Sequence, residues 1–153
     1  YSKIFEDEDV LFVAADNKRF AQTAAELLID IYRKSETIRD VKSICDRDDL
    51  SDPAIQAIVD KSNWKKFLRR REIENYLLDD EVINAYCVEH GIDPSTVTTR
   101  LADPINDKAK GIQGAVASQC GFSGTVDEFK LELAKCIKKD MAVYIELKTC
   151  VGL

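Results

Sequence analysis

The chain has 153 residues, 45% hydrophobic and 33% charged, which is enough to bury one sizeable core and of a length that fits one domain. A formal net charge of -6 excludes a protein that coats nucleic acid by bulk electrostatics, because such binding needs lysine and arginine to neutralise phosphates, so any polyanion contact must be local. No run approaches the ~18 apolar residues of a membrane span, and the acidic start (Glu6, Asp7, Glu8, Asp9) is the opposite of a signal or transit peptide, so a cytoplasmic chain with no membrane partner is expected.

Residues 9–15 form a short continuous apolar run containing Val10, Leu11, Phe12 and Val13, the pattern of a strand buried on both faces. Residues 17–33 follow with helical spacing, Phe20, Ala24, Leu27, Leu28, Ile31 and Tyr32 marking one apolar stripe. Residues 41–45 read as a second strand that runs into a polar tip at Asp46, Arg47, Asp48 and Asp49. Strand, helix and strand of these lengths predict a parallel βαβ unit with a right-handed crossover. Ser51, Asp52 and Pro53 open a short helix to about Val59, with proline in its first turn.

A third strand is expected over residues 67–76, its alternation interrupted by a basic run. From residue 79 the pattern turns helical: residues 81–90, a segment from Pro94, and another over 108–119. Thr125 and Glu128 have the spacing of a capping box, which starts a helix running through Ile137, its far end left open as far as beyond Met141. Val143, Ile145 and Leu147 alternate, so the last residues read as helix or strand. The reading is therefore an α/β core over residues 1–78, a parallel sheet flanked by helices, and a mainly helical continuation of the same domain over 79–153 that offers a surface for a partner.

The five cysteines (Cys45, Cys87, Cys120, Cys136, Cys150) include no Cys-x-x-Cys pair and sit mostly in apolar runs, so neither a disulfide framework nor a zinc site is expected. The single histidine, His90, stands near the end of a predicted helix and reads as a cap residue.

Acidic residues at strand ends carry more chemical interest. In open α/β sheets ligands bind outside the carboxyl ends of the strands, which is where Asp46 and Asp48 fall. If the extended backbone persists through Asp48, the two project from one face with Cα atoms roughly 6–7 Å apart, close enough to ligate one hard cation. Glu72 and Glu74 repeat the spacing. An oxygen-only donor set favours Mg²⁺ or Mn²⁺ over zinc, and such ions polarise phosphodiesters. Plain alternatives stand beside this: residues 46–52 as turn and cap residues, and Glu72 and Glu74 as a salt-bridged edge strand beside Arg69, Arg70 and Arg71. Five basic residues in seven (Lys65, Lys66, Arg69, Arg70, Arg71) are the one local candidate for steering a nucleic-acid backbone, the alternative being a solvated face.

Three segments together resemble a known family: residues 10–20, residues 44–51 with Asp46 and Asp48, and residues 70–78, where Glu74, Asn75, Tyr76 and Leu77 are the most specific match. The sequence is similar to the Toprim domain of the overcoming-lysogenization-defect nucleases and of related effectors that accompany ABC-type or AAA-type ATPases in bacterial anti-phage defence. The resemblance covers the first half of the chain. It implies a Toprim-like, Rossmann-like fold and a Mg²⁺-dependent endonuclease acting on DNA or RNA. Asp46 and Asp48 would be the metal pair, Glu74 an additional ligand and catalytic residue with Glu72 second, and Arg71 would orient a phosphate or carboxylate bidentately. The partners implied are a nucleic-acid substrate and an ATPase on another chain or segment, since this chain has no Gly-x-x-x-x-Gly-Lys loop; self-association is left open.

The sequence departs from the family pattern at the catalytic position, where Ala14 and Ala15 stand in place of Glu-Gly. A methyl group neither ligates Mg²⁺ nor takes a proton, so the domain as written is expected to cleave slowly or not at all. A degenerate copy and an engineered knock-out at Ala14 both account for this, the second being favoured because the other acidic motifs are intact. The rival expectation is a non-catalytic Toprim-like module that binds an ATPase or nucleic acid.

Overall fold

Why the chain bends where it does is clearest from the segment between its two strands and its helical half. The structure, a computed structural model, describes residues 1–6, 8, 12–13, 18–34, 41–98, 101–103 and 105–153. Within them lie a two-stranded parallel sheet, β1 (Ser43–Cys45) and β2 (Lys65–Phe67), and seven α-helices: α1 (Lys18–Lys34), α2 (Asp52–Val59), α3 (Glu74–Leu77), α4 (Asp80–Glu89), α5 (Gln113–Gln119), α6 (Val126–Cys136) and α7 (Ala142–Val151). Short 3-10 turns occupy Pro94–Thr96 and Ala109–Gly111. The molecule is thus mixed α/β, with about half of the described chain helical.

The strand expected over residues 9–15, Ala14 included, lies outside the described residues except for Phe12 and Val13. Phe12 stacks on Tyr1 and Phe5, with ring centroids 5.7 and 5.8 Å away. α1 forms over the span its periodicity predicts and lies beside β1, but its apolar stripe does not become core. Phe20, Leu27 and Ile31 are 59, 59 and 57% exposed, and among its described side chains the one α1 buries is Ala25. Periodicity defines which residues share a helix face; it does not say what covers that face.

β1 and β2 pair in parallel with Ser43 opposite Lys65 and Cys45 opposite Phe67. α2 joins them, so a strand, helix and strand unit is present one step later in the chain than the one read from residues 9–45. Pro53 sits in the first turn of α2, where its missing N–H costs nothing.

The third strand expected over residues 67–76 is corrected by the structure: β2 stops at Phe67 and residues 74–77 are helical. One further ladder bond, Leu68 N–H to the Cys45 carbonyl, is made at 3.0 Å. The next two amides are then taken by a side chain, Arg69 and Arg70 donating to the Tyr76 phenol oxygen at 3.2 and 3.3 Å. Glu72 N–H likewise donates to Asn75 Oδ1, and Asn75 Nδ2 donates to the Asp107 carbonyl at 2.9 Å. The Arg69, Arg70 and Glu72 amides are thus satisfied by side chains a few residues ahead, and the Arg71 N–H by the Ile105 carbonyl at 2.7 Å, so the chain turns inward instead of extending the strand.

The helical half forms largely as its pattern predicts. Asp79 caps α4 by accepting from Glu81 N–H, and His90 is its C-terminal cap residue. Thr125 and Glu128 make the reciprocal capping box at the start of α6. The chain leaves α6 at Ile137 in extended conformation and re-enters a helix at Ala142, so the closing segment is helix rather than strand. The alternation of Val143, Ile145 and Leu147 is resolved by helical geometry: Val143 and Leu147, four apart, are buried, while Ile145 faces out. One hydrophobic cluster takes Leu68, Tyr76 and Leu78 from the segment after β2 together with Val82, Tyr86, Val116, Phe129, Leu133 and Leu147 from the helices. This cluster fixes the turn that carries Glu72 and Glu74. Among the described residues no helix is long and apolar enough to cross a membrane.

Candidate active site

β1 delivers Asp46 at its carboxyl end, and the turn after β2 comes to meet it. Asp46 Oδ1 accepts the Ile73 N–H at 3.2 Å, and the Asp48 N–H donates to the Arg71 carbonyl at 2.9 Å. Arg47 ties the same two loops, donating to the Arg69 carbonyl at 3.0 Å and pairing with Asp52 at 2.6 Å. Extended geometry does not persist through Asp48, as a shared-face pair would need: Asp48 has φ 51°, in the left-handed region. The backbone reverses there, so the two-residue spacing of Asp46 and Asp48 is not that of neighbours along one face of a strand.

The partners that Asp46 does acquire come from further along the chain. Glu72 and Glu74 lie in the turn and first residue of α3, both buried. Lys110, in the 3-10 turn Ala109–Gly111, donates its backbone N–H to Glu72 Oε1 at 2.6 Å. Its ammonium sits 3.7 Å from Asp46 Oδ2, 3.8 Å from Glu72 Oε2 and 3.8 Å from Glu74 Oε2. Lys130 of α6 approaches the other Glu74 oxygen at 3.6 Å while pairing with Asp127 at 2.7 Å. Three carboxylates from two distant segments therefore face one cation.

The electrostatics follow from that crowding. Burial raises the Asp46 carboxyl above the ordinary aspartate range, Glu74 and Asp48 push it the same way, and Lys110 and the Ile73 amide pull it back. Burial alone would lower the Lys110 ammonium, but Glu74, Asp46, Glu72 and Asp48 more than offset this and hold it above its usual value. Glu74 is 3% exposed, and its Oε2 has no hydrogen-bond donor. A buried carboxylate oxygen in that condition is costly and is an exception among native proteins.

Other candidate residues are placed differently. Arg71 pairs with Asp49 at 2.6 Å, and its guanidinium also reaches the Asn106 carbonyl at 3.4 Å, so it stands at the rim of the cluster already engaged. The basic run does not form one surface. Arg70 is turned inward, bound to Asp79 at 2.6 Å and Glu146 at 3.1 Å. Lys65 and Lys66 are half-buried on successive, opposite-facing positions of β2, Lys65 donating to Gln22 at 3.3 Å and lying over the Trp64 ring. Arg69 is exposed. Ala14 lies outside the described residues.

Lys110 and Lys130 are the residues that sequence reasoning missed. Both are brought in by tertiary packing of the helical half, and nothing in their local spacing marks them; the one available hint was that a cluster so acidic needs compensating cations from somewhere. Among the described residues, no group of three or more His, Cys, Asp or Glu side chains is spaced to hold a metal ion. Compared with family models, with curated proteins and with solved structures, the chain finds no match in any of the three.

Proposed function

We propose that this chain is a Toprim-type, Mg²⁺- or Mn²⁺-dependent nuclease domain, acting on DNA or RNA under the control of an ATPase partner, with its catalytic position altered at Ala14. The observation that carries the reading is the meeting of Asp46, Glu72 and Glu74 around a single cation at the carboxyl end of a parallel strand. The donor set fits a hard divalent ion in kind: every donor is a carboxylate oxygen, and Glu74 Oε2 is buried with no hydrogen-bond donor. Asp46, Glu72 and Glu74 would hold the ion, with Asp48 close enough to bias the same ammonium. Bound there, the ion supplies Lewis-acid polarisation of a phosphodiester and a more acidic water.

This chain's own residues do the rest. The loop ties through Arg47, Ile73 and the Arg71 carbonyl hold the acidic groups in place. Arg69, exposed in the turn after β2, is the cation of the basic run left to draw in a phosphate backbone, Lys65 and Lys66 lying on opposite faces of β2 and Arg70 serving the interior. Arg71 would reach a phosphate only by leaving Asp49, an exposed partner and so a weak competitor.

The test is Ala14→Glu. Assayed with Mg²⁺ or Mn²⁺ on single- and double-stranded DNA and on RNA, the variant is expected to cleave, and adding Asp46→Ala is expected to abolish the cleavage. The second reading, a non-catalytic module that binds an ATPase or nucleic acid, is favoured by Ala14 itself. It wins if Ala14→Glu stays inert with both metals and with the ATPase present.

A further inference from the structure

We infer that Lys110 is a tethered counter-ion, a side chain that fills the cation position between Asp46, Glu72 and Glu74 when no divalent ion is bound and must swing out for one to enter. The inference rests on the metal-binding reading above and adds a built-in competitor to it. Two independent observations carry it. The first is the geometry: one ammonium lies 3.7–3.8 Å from an oxygen of each of three carboxylates, too far for a hydrogen bond to any of them. A side chain placed to make a structural salt bridge closes on a partner, as Arg70 does at 2.6 Å. Lys110 instead takes the centre, the position set by summed attraction and not by any one bond.

The second is the state of Glu74. This side chain is 3% exposed, its Oε2 faces the same ammonium, and that oxygen has no hydrogen-bond donor. Its other oxygen shares Lys130 with Asp127. Two ammoniums, Lys110 and Lys130, serve four carboxylates, Asp46, Glu72, Glu74 and Asp127, and a buried oxygen without a donor is the group with most to gain from a closer, doubly charged cation.

Lys110 is equipped to leave. Its backbone is anchored by the N–H bond to Glu72 Oε1, while its side chain is 57% exposed. The ammonium can therefore rotate into water without unfolding the turn that carries it. Ammonium and divalent ion cannot share the position, since like charges at contact distance repel strongly.

The experiment is Mn²⁺ titration by calorimetry into the wild-type chain, Lys110→Met and Lys110→Arg, with lysine acetylation of the wild type followed by mass spectrometry. Lys110→Met is expected to bind Mn²⁺ about tenfold tighter than wild type, the Arg variant remaining close to wild type. In the wild type, acetylation of Lys110 is expected to be slow without metal and to rise severalfold when Mn²⁺ is added. The labelling arm needs no variant to fold. Equal or weaker Mn²⁺ binding by Lys110→Met, or Lys110 labelling indifferent to bound Mn²⁺, overturns the counter-ion role while leaving the metal site standing. Absence of Mn²⁺ binding in all three proteins overturns both. Tighter binding by Lys110→Met with no cleavage by any Ala14→Glu protein upholds the counter-ion and sinks the nuclease.

Discussion

Arg70 and Lys110 each gather carboxylates, and they do so in opposite ways. Arg70 reaches Asp79 at 2.6 Å, Glu146 at 3.1 and 3.3 Å and the Asn75 carbonyl at 3.0 Å, with its guanidinium 4.8 Å from the centre of the Tyr76 ring. Lys110 stands back from all three of its carboxylates. The planar fork of arginine matches fixed acceptors and closes a structural joint between the turn after β2, the cap of α4 and α7. The rotatable ammonium of lysine leaves its cluster open. A closed charge cluster is architecture; an open one, holding a carboxylate oxygen without a donor, is where chemistry has room.

The comparison can be broken first at Arg70. Its side chain is 10% exposed, and removing it leaves Asp79 and Glu146 facing each other without a cation. Arg70→Met is expected to cost about 3–5 kcal/mol in urea unfolding. Arg70→Lys should recover only part of this, because an ammonium cannot serve Glu146 bidentately. A loss under about 1 kcal/mol would show the joint to be no more than a surface pair.

Tyr76→Phe is the next largest. It strips the acceptor from two backbone amides that end the β2 ladder, at an expected cost of about 1–3 kcal/mol. Hydrogen exchange at Arg69 and Arg70 should rise in the same variant, and unchanged protection there would count against the phenol as the strand's terminator.

At the open cluster the same kind of substitution should do little to stability. Glu74→Gln replaces an under-partnered buried carboxylate by an amide, and the unfolding free energy is expected to stay level or rise, by no more than about 1 kcal/mol, while any cleavage gained through Ala14→Glu disappears. A large loss of stability would make this cluster architecture too.

The smallest effect is the pH dependence of Asp46. Its carboxyl is raised in the folded chain, so the folded state holds that proton more tightly than the unfolded state. Its contribution to stability is therefore fully present below the ordinary aspartate value of 3.8 and is lost as pH rises through the higher folded value. Asp46→Asn keeps an acceptor for the Ile73 amide but does not titrate. Thermal melts of the two proteins should favour the variant increasingly as pH rises from about 4 toward 7; parallel curves would contradict the shift.

What could be read in the residues was mostly local. Helix α1, the proline-opened α2 and the Thr125–Glu128 capping box depend on neighbours within a turn or two, and all three formed. The end of β2 was not legible, because what stops it is a phenol seven residues ahead and an arginine bound to a helix 76 residues away. The acidic positions were legible and their partnership was not. Asp46 and Asp48 suggested a pair by spacing, whereas the backbone reversal at Asp48 sends Asp46 to Glu72 and Glu74 through a lysine that no local pattern marks.

That reversal has an evolutionary reading. A left-handed backbone costs an aspartate relative to glycine, and Asp48→Gly would be expected to gain up to about 1 kcal/mol. Laboratory selection for heat resistance should therefore drift toward glycine at this position, a one-residue change that leaves the carboxylates of Asp46, Glu72 and Glu74 in place.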